Sequence, residues 1–374
     1  MNHLGPTRLL LSYLVALLGL TVNGSVHSQE KFLLQGIFDA EAHQTNDDSY
    51  SLSRNNGDLS GLGRLQLWSA WQMTPNLQLY GMAEFETDNE YGRWNSESEL
   101  TQLALRYSSN STPFFYVEAG KILPPIAVAT DRRLSTQNPL IAEPNIIYAP
   151  YPLGVQLAGS AGWFDYRAAL VDLPAILPEY LPEDPSSAYR PDLGVGVTPI
   201  TGLRFGLAYT KGPYLNKNQG RQSSGGSNWK DYDQRLWALE VDFARGYLEF
   251  TGEVVFSSYD VPYRYERADF TEYFLELTYT FTPRFYAALR YQKYGYPNVP
   301  YPGGFAQMAP ETILYDFEVG VGYRFTANTQ LKLAYRQDRW SIEYVPGYLY
   351  PDGRSVALQL SHQFDLGAWF RRER

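Results

Sequence analysis

The sequence predicts an all-β fold: a transmembrane antiparallel β-barrel of sixteen strands, with short turns at one rim and long loops at the other. Three observations predict it. Apolar and polar residues alternate with period two over segments of about ten residues, the length a tilted strand needs to cross a bilayer. Short joints and long polar excursions alternate along the chain. After the N-terminal leader no run reaches the roughly 18 apolar residues of a membrane helix, and a mean hydropathy of −0.35 is too polar for a helical bundle.

The chain opens with Arg8 ahead of an apolar run from Leu9 to Val22, and Val26-His27-Ser28 follows. This is the pattern of a signal peptide over residues 1–28, leaving 29–374 as a single barrel domain. Alternation then appears in order. Leu65, Leu67, Ser69 and Trp71 oppose Arg64, Gln66 and Trp68; Leu77, Leu79, Gly81, Ala83 and Phe85 oppose Gln78, Tyr80, Met82, Glu84 and Glu86. Leu103, Leu105 and Tyr107 oppose Gln102, Ala104 and Arg106. Trp237, Leu239, Val241 and Phe243 oppose Glu240 and Asp242, and Leu248, Phe250, Val254 and Phe256 oppose Glu249, Thr251 and Glu253. Tyr273 to Phe281 sets its odd positions against Glu272 and Glu276, Phe285 to Tyr291 against Arg290, and Phe317 to Phe325 against Glu318 and Arg324. Val356 to Phe364 closes the series and is similar to the C-terminal assembly signal of outer-membrane proteins.

Short joints fall at 74–76, 108–113, 162–163, 199–202, 244–246, 282–284 and 326–328; long excursions fall at about 43–61, 88–98, 121–153, 172–190, 212–232, 259–270, 294–314 and 338–354. Seven turns and eight loops connect sixteen strands, and an even count lets the sheet close with no edge left in lipid. Thr-Pro recurs at 74–75, 112–113, 198–199 and 282–283 as hairpin punctuation, and aromatic residues such as Trp71, Tyr107, Phe114, Trp163, Phe281 and Phe325 gather beside the short turns as an interfacial girdle.

Val117-Glu-Ala-Gly-Lys-Ile-Leu-Pro-Pro-Ile-Ala127, Tyr151-Pro-Leu-Gly-Val155 and Gly212-Pro-Tyr-Leu215 add a resemblance. The chain resembles Gram-negative sixteen-stranded porins, and distantly the phosphate-selective porin O/P group. The resemblance implies short periplasmic turns, long extracellular loops and an outer-membrane location. Phosphate selectivity does not carry over, since in that group it depends on Lys- and Arg-rich constrictions and Lys is scarce here.

With apolar side chains turned to lipid, the other face lines a lumen. The expected pore-lining residues are Arg64, Glu84, Glu86, Arg106, Glu118, Arg167, Glu240, Glu249, Glu253, Glu272, Glu276, Arg290, Glu318, Arg324, Lys332 and Arg336. To this inner face the three strands from Trp237 to Phe281 supply only acids and the three from Phe285 to Asp338 most of their charge as bases, which predicts a field across the pore; an acid excess predicts a mild cation preference. Substitutions at Glu84, Arg106, Glu276 and Arg290 should then spare folding, whereas charges at Leu79, Leu105, Leu277 and Val321 should not. The excursion at 121–153 is apolar and Pro-stiffened around a charged tip. It is expected to fold inward, with Lys121, Asp131, Arg132 and Arg133 at the pore constriction.

Other classes fare worse. A net charge of −9 argues against nucleic acid, and the absence of Cys removes thiol chemistry and disulfides. Outside the leader only His43 and His362 offer imidazoles. Ser361 and His362 are adjacent on a strand, so they point to opposite faces and cannot form a nucleophile and base pair. No catalytic residues, metal ligands or cofactor are expected. The function expected is passive diffusion of small hydrophilic solutes or ions. A filled docking barrel is the principal alternative and a hydrolase the third. Expected partners are outer-membrane lipid, the solutes themselves, and further copies of the chain in a homotrimer.

Overall fold

The computed structural model describes residues 31–46, 52, 57–90, 93–109, 114–123, 126, 132, 134–144, 151–172, 189–215, 228–262, 266–297, 311–342 and 352–367. The expected leader at 1–28 lies outside them, as do Asp131 and Arg133.

Sixteen strands follow one another: β1 (Phe32–Thr45), β2 (Ser60–Thr74), β3 (Leu77–Glu90), β4 (Arg93–Ser108), β5 (Phe114–Lys121), β6 (Leu153–Ala161), β7 (Phe164–Val171) and β8 (Arg190–Ile200), then β9 (Leu203–Pro213), β10 (Asp233–Arg245), β11 (Leu248–Tyr259), β12 (Ala268–Thr282), β13 (Phe285–Pro297), β14 (Glu311–Arg324), β15 (Thr329–Ile342) and β16 (Gly353–Asp365). Each pairs antiparallel with its neighbours in sequence, and β1 also pairs with β16 from Gln35 opposite Asp365 to Thr45 opposite Ser355, so the sheet closes into a barrel. One expected excursion is corrected. Residues 88–98, read as a loop from their Asn, Ser and Gly content, are largely strand, because β3 runs to Glu90 and β4 starts at Arg93. Apart from Trp94 their sequence is rich in polar residues at consecutive positions, so their composition resembles a loop although the backbone ladder continues, with Asp88 opposite Asn95 and Glu86 opposite Glu97.

The short turns owe their geometry to local chemistry. In Thr74-Pro75 the threonine Oγ1 accepts from the amide of Leu77 at 3.1 Å, and in Thr282-Pro283 the equivalent hydroxyl accepts from Phe285 at 3.0 Å. Proline presets φ while the hydroxyl satisfies an amide the ladder has released. Gly202 has φ +84°, and a Cβ there would sit 2.1 Å from the Ala244 carbonyl oxygen, so only glycine fits.

Apolar side chains at alternate positions face outward all round the wall, among them Leu105, Val155, Leu193, Leu239, Leu289, Val321 and Leu358. Aromatic rings pack beside the short turns, Phe281 and Phe285 stacked with centroids 5.4 Å apart and Tyr323 and Phe325 edge to face at 5.1 Å. The opposite positions point inward and carry most of the charge, including Asp39, Arg64, Glu118, Glu240, Glu276, Arg290 and Glu318. Part of the inner wall is apolar. Ala208, Leu236, Ala238, Val255, Phe274, Tyr294 and Tyr296 of β9 to β13 form a buried cluster with Ile126 from the segment after β5.

Candidate functional site: the charged lumen and the inward loop

Between β5 and β6, the described residues Ile126, Arg132 and 134–143 lie against the inside of the barrel. Period-two alternation puts Glu276, Arg290, Glu318 and Lys332 on the inner faces of β12 to β15; the ladders bring the first three side by side with Arg336, and Lys332 lies opposite Gly322. Arg290 is fully buried and forms the hub. Its Nη2 donates to Glu276 Oε2 at 2.7 Å and to Asn138 Oδ1 at 2.6 Å, while Nη1 donates to the Ala142 carbonyl at 2.5 Å and to Glu318 Oε2 at 3.3 Å. The other carboxylate oxygen of Glu318 accepts from the amides of Ile141 and Ala142, both at 3.0 Å. Lys332 Nζ donates to the carbonyls of Ser135 at 2.6 Å and Leu140 at 2.9 Å. Charged wall groups thus satisfy the backbone of a loop that has no ladder partner.

Three apolar anchors complement these bonds. Ile122 packs with Ala104, Ala169 and Val171, Ile126 enters the inner apolar cluster, and Ile141 packs on Ala334 and Ala357. Leu140 reaches the wall where β14 carries Gly320; a Cβ at that position would meet the leucine at 2.9 Å. From the loop, Glu143 pairs with Arg64 at 2.9 Å and Arg132 with Glu276 at 2.8 Å, and Arg132 also donates to Thr251 Oγ1 at 3.2 Å.

The wall from β3 to β10 differs. Arg106 lies between the rings of Tyr80 and Tyr116, at 4.7 and 4.6 Å, and pairs with Glu118 at 2.7 Å. Arg204 makes a two-pronged contact with Asp165, at 2.9 and 3.0 Å, and meets Glu240 at 2.9 Å; Arg167 also pairs with Glu240. The carboxylates of Glu118 and Glu240 are buried, whereas the Arg106 side chain is 33% exposed and those of Arg167 and Arg204 are each 23% exposed. On this side solvent reaches the guanidiniums; on the β12 to β15 side it does not reach Arg290.

The remaining expected residues fall as follows. Glu84 accepts from Gln66 at 2.7 Å and Glu86 lies on the same inward register of β3. Glu253 and Glu272 are buried on the inner wall, Glu272 accepting from Ser257 at 2.9 Å. Arg336 pairs with Asp316 and, at 2.9 Å, with Asp338. Glu249 is exposed near the short-turn mouth, and Arg324 stacks on Tyr286 at 4.5 Å. Lys121 stands at the root of the loop, bonded to Glu99 at 2.5 Å and to the Leu100 carbonyl at 2.9 Å, away from the Arg132 contacts. Part of the expected transverse field is discharged by pairing, since Glu276 of β12 meets Arg290 of β13 directly. Sequence reasoning missed Asn138, Ala142, Tyr80 and Tyr116, whose roles depend on what lies across the lumen. Ser361 points inward and His362 outward, where it bonds to Thr329 Oγ1 at 2.9 Å.

No family model and no curated protein matches the sequence. Solved structures do match the fold. OmpF of Salmonella typhi superposes with a TM-score of 0.59 at 13% identity, covering 89% of this chain and 97% of that one. An anion-selective porin from Comamonas acidovorans gives 0.57 at 13% identity over 89% and 99%. OmpT, an outer membrane protein of Vibrio cholerae, gives 0.56 at 12% identity over 91% and 100%. The chain thus shares with these outer-membrane proteins a porin-like fold, here a closed antiparallel barrel of sixteen strands.

Proposed function

We propose that this chain, after removal of its leader, is an outer-membrane porin through which small hydrophilic solutes or ions diffuse passively. The observation that carries this reading is the asymmetry of the lumen. The loop after β5 is bonded to the β12 to β15 wall, while Arg106, Arg167 and Arg204 on the opposite side remain partly exposed. A passage between the loop and that wall would be polar and stiffly lined, with Arg132 on the loop side and the tip residues Asp131 and Arg133 nearby in sequence. Phosphate selectivity is no part of the proposal, because each of the partly exposed arginines is paired with a carboxylate.

One observation favours the alternative, a filled barrel that docks or sheathes a partner: the apolar inner cluster around Phe274 and Ile126 holds no exposed surface for solutes. An enzymatic role is not proposed, since Ser361 and His362 face opposite sides of β16. Single-channel recording in planar bilayers tests the proposal. Ohmic openings that grow when Arg132 and Arg133 are replaced by Ala are expected. Silence from a folded, inserted barrel favours the filled form.

A further inference from the structure

On the outside of the barrel, bases stand at the long-loop ends of β9 and β10, where Lys211 faces Arg235, and of β13 to β16. At the long-loop ends of β12 to β15 the ladders place Tyr273 opposite Lys293, Lys293 opposite Tyr315 and Tyr315 opposite Arg339. One row nearer the middle, Tyr291 faces Phe317, Phe317 faces Gln337, and Gln337 faces Arg354 of β16. These positions lie in the same outward register as the apolar Leu289, Val319 and Val356. A recess of about 450 Å³ opens between the strands, lined by Tyr291, Tyr315, Phe317, Gln337, Arg339 and Ser341 and by Asp316, whose carboxylate is buried against Arg336. Among the described residues, none of Lys293, Arg339 and Arg354 forms an ion pair. The outward acids Asp269 of β12 and Glu311 of β14, and Asp352 just before β16, stand nearer the loops, and Asp352 accepts from the Trp340 amide at 3.3 Å.

The far side of the barrel shows that this is not a general property of the rim. There Leu153, Val155, Leu170 and Leu193 carry the apolar surface up to the strand ends, and Lys121, opposite Leu153, is paired with Glu99. Lys293 lies eight residues along β13 from Phe285. That is about 20 Å up a tilted wall, where an apolar band of roughly 25 Å gives way to the headgroups of the leaflet at the long-loop end. Long basic side chains at that height extend into the headgroups, and tyrosines sit beside them at the interface.

We propose that this face is a binding site for the phosphorylated headgroup of a lipid in that leaflet. Three bases without ion partners, spaced over adjacent strands, suit the two or more phosphates of a glycolipid. The guanidiniums bind phosphate oxygens in pairs, and the tyrosine hydroxyls supply donors between them. Because the bases point to the bilayer rather than the lumen, the ligand comes from the membrane and not from the transported solutes. The site rests on the outer-membrane reading above.

The test uses the full chain folded in phosphatidylcholine vesicles that contain either diphosphorylated lipid A or the same lipid with its phosphates removed. After extraction, retained lipid is measured by native mass spectrometry. The wild type is expected to keep the phosphorylated lipid, and excess inorganic phosphate should not displace it. The variant Lys293→Gln/Arg339→Gln/Arg354→Gln should retain it about tenfold less well or worse, with unchanged thermal stability in phosphatidylcholine alone, and Arg339→Lys, which keeps the charge but not the paired donors, should lose less than Arg339→Gln. Equal retention by wild type and triple variant, or no preference for the phosphorylated lipid, overturns the site while leaving the porin reading intact. A chain that does not enter vesicles overturns both.

Discussion

Arg290 and Ala142 are 148 residues apart in the chain, and the guanidinium Nη1 of the first donates to the carbonyl of the second at 2.5 Å. The strand that supplies the arginine and the loop that supplies the carbonyl are thereby tied across the inside of the barrel. The same guanidinium holds Glu276 and Glu318, so one side chain both neutralises the wall and fixes the loop.

Replacing Arg290 by Leu removes all of these bonds at once, takes from the buried Glu318 its ion pair and leaves Glu276 with Arg132. Breaking a buried pair on one side costs about 3–5 kcal/mol, which reverses the expectation from the sequence that Arg290 is dispensable for folding. Urea unfolding followed by tryptophan fluorescence should show that loss, and any folded fraction should give noisier single-channel currents. An unchanged midpoint would mean the loop is held elsewhere.

Arg204 makes the second prediction. It pairs with Asp165 and Glu240 while remaining partly exposed, so Arg204→Gln uncovers negative charge beside the proposed passage. The reversal potential in a salt gradient should move toward cation preference relative to the wild type. No movement would place the passage away from β9.

A charge on the lipid face should behave differently from one inside. Leu105→Arg and Val321→Arg put a base at outward positions of β4 and β14, where about 2–4 kcal/mol of destabilisation is expected near the bilayer midplane. Glu84→Gln keeps its partner Gln66 within reach and should fold normally. Heat-modifiable electrophoretic mobility separates the two outcomes.

Turn glycines give a paired comparison. Gly162 and Gly202 both have positive φ, but a Cβ at Gly162 meets nothing within 4 Å, whereas at Gly202 it meets the Ala244 carbonyl oxygen at 2.1 Å. Gly162→Ala should cost about 1–2 kcal/mol from backbone conformation alone, and Gly202→Ala clearly more. Equal losses in denaturant titrations would show that the β8–β9 turn shifts to make room.

The strand register was legible because lipid enforces a single apolar face over nearly every strand, and one-residue slips would expose charge to it. The inner apolar cluster was not legible in the same way. Leu236-Trp237-Ala238-Leu239 and Val254-Val255-Phe256 are apolar at consecutive positions, and such runs signal burial on both faces without naming the partner. Here the partner is Ile126, more than a hundred residues earlier in the sequence, and only the closed barrel brings them together. The Pro-stiffened apolar loop was readable as a segment meant to pack. Its attachment to Arg290, Glu318 and Lys332 was not, because loop backbone carbonyls and amides serve as the partners and every residue type carries those.

The ladder between β1 and β16 has a consequence for how the barrel is made. Fifteen hairpin-type pairings join neighbours in sequence and can form early from local chain, but the remaining seam joins Ile37 to Gln363 and Ala42 to Leu358. That contact has the greatest sequence separation in the sheet, and loop-closure entropy makes such contacts slow to form. Until the seam zips, two strand edges stay unsatisfied, which hydrocarbon does not tolerate. Completion of the chain must therefore precede its stable residence in lipid, and an assembly intermediate would need both edges shielded by a chaperone or by an insertion machine that lends its own strand.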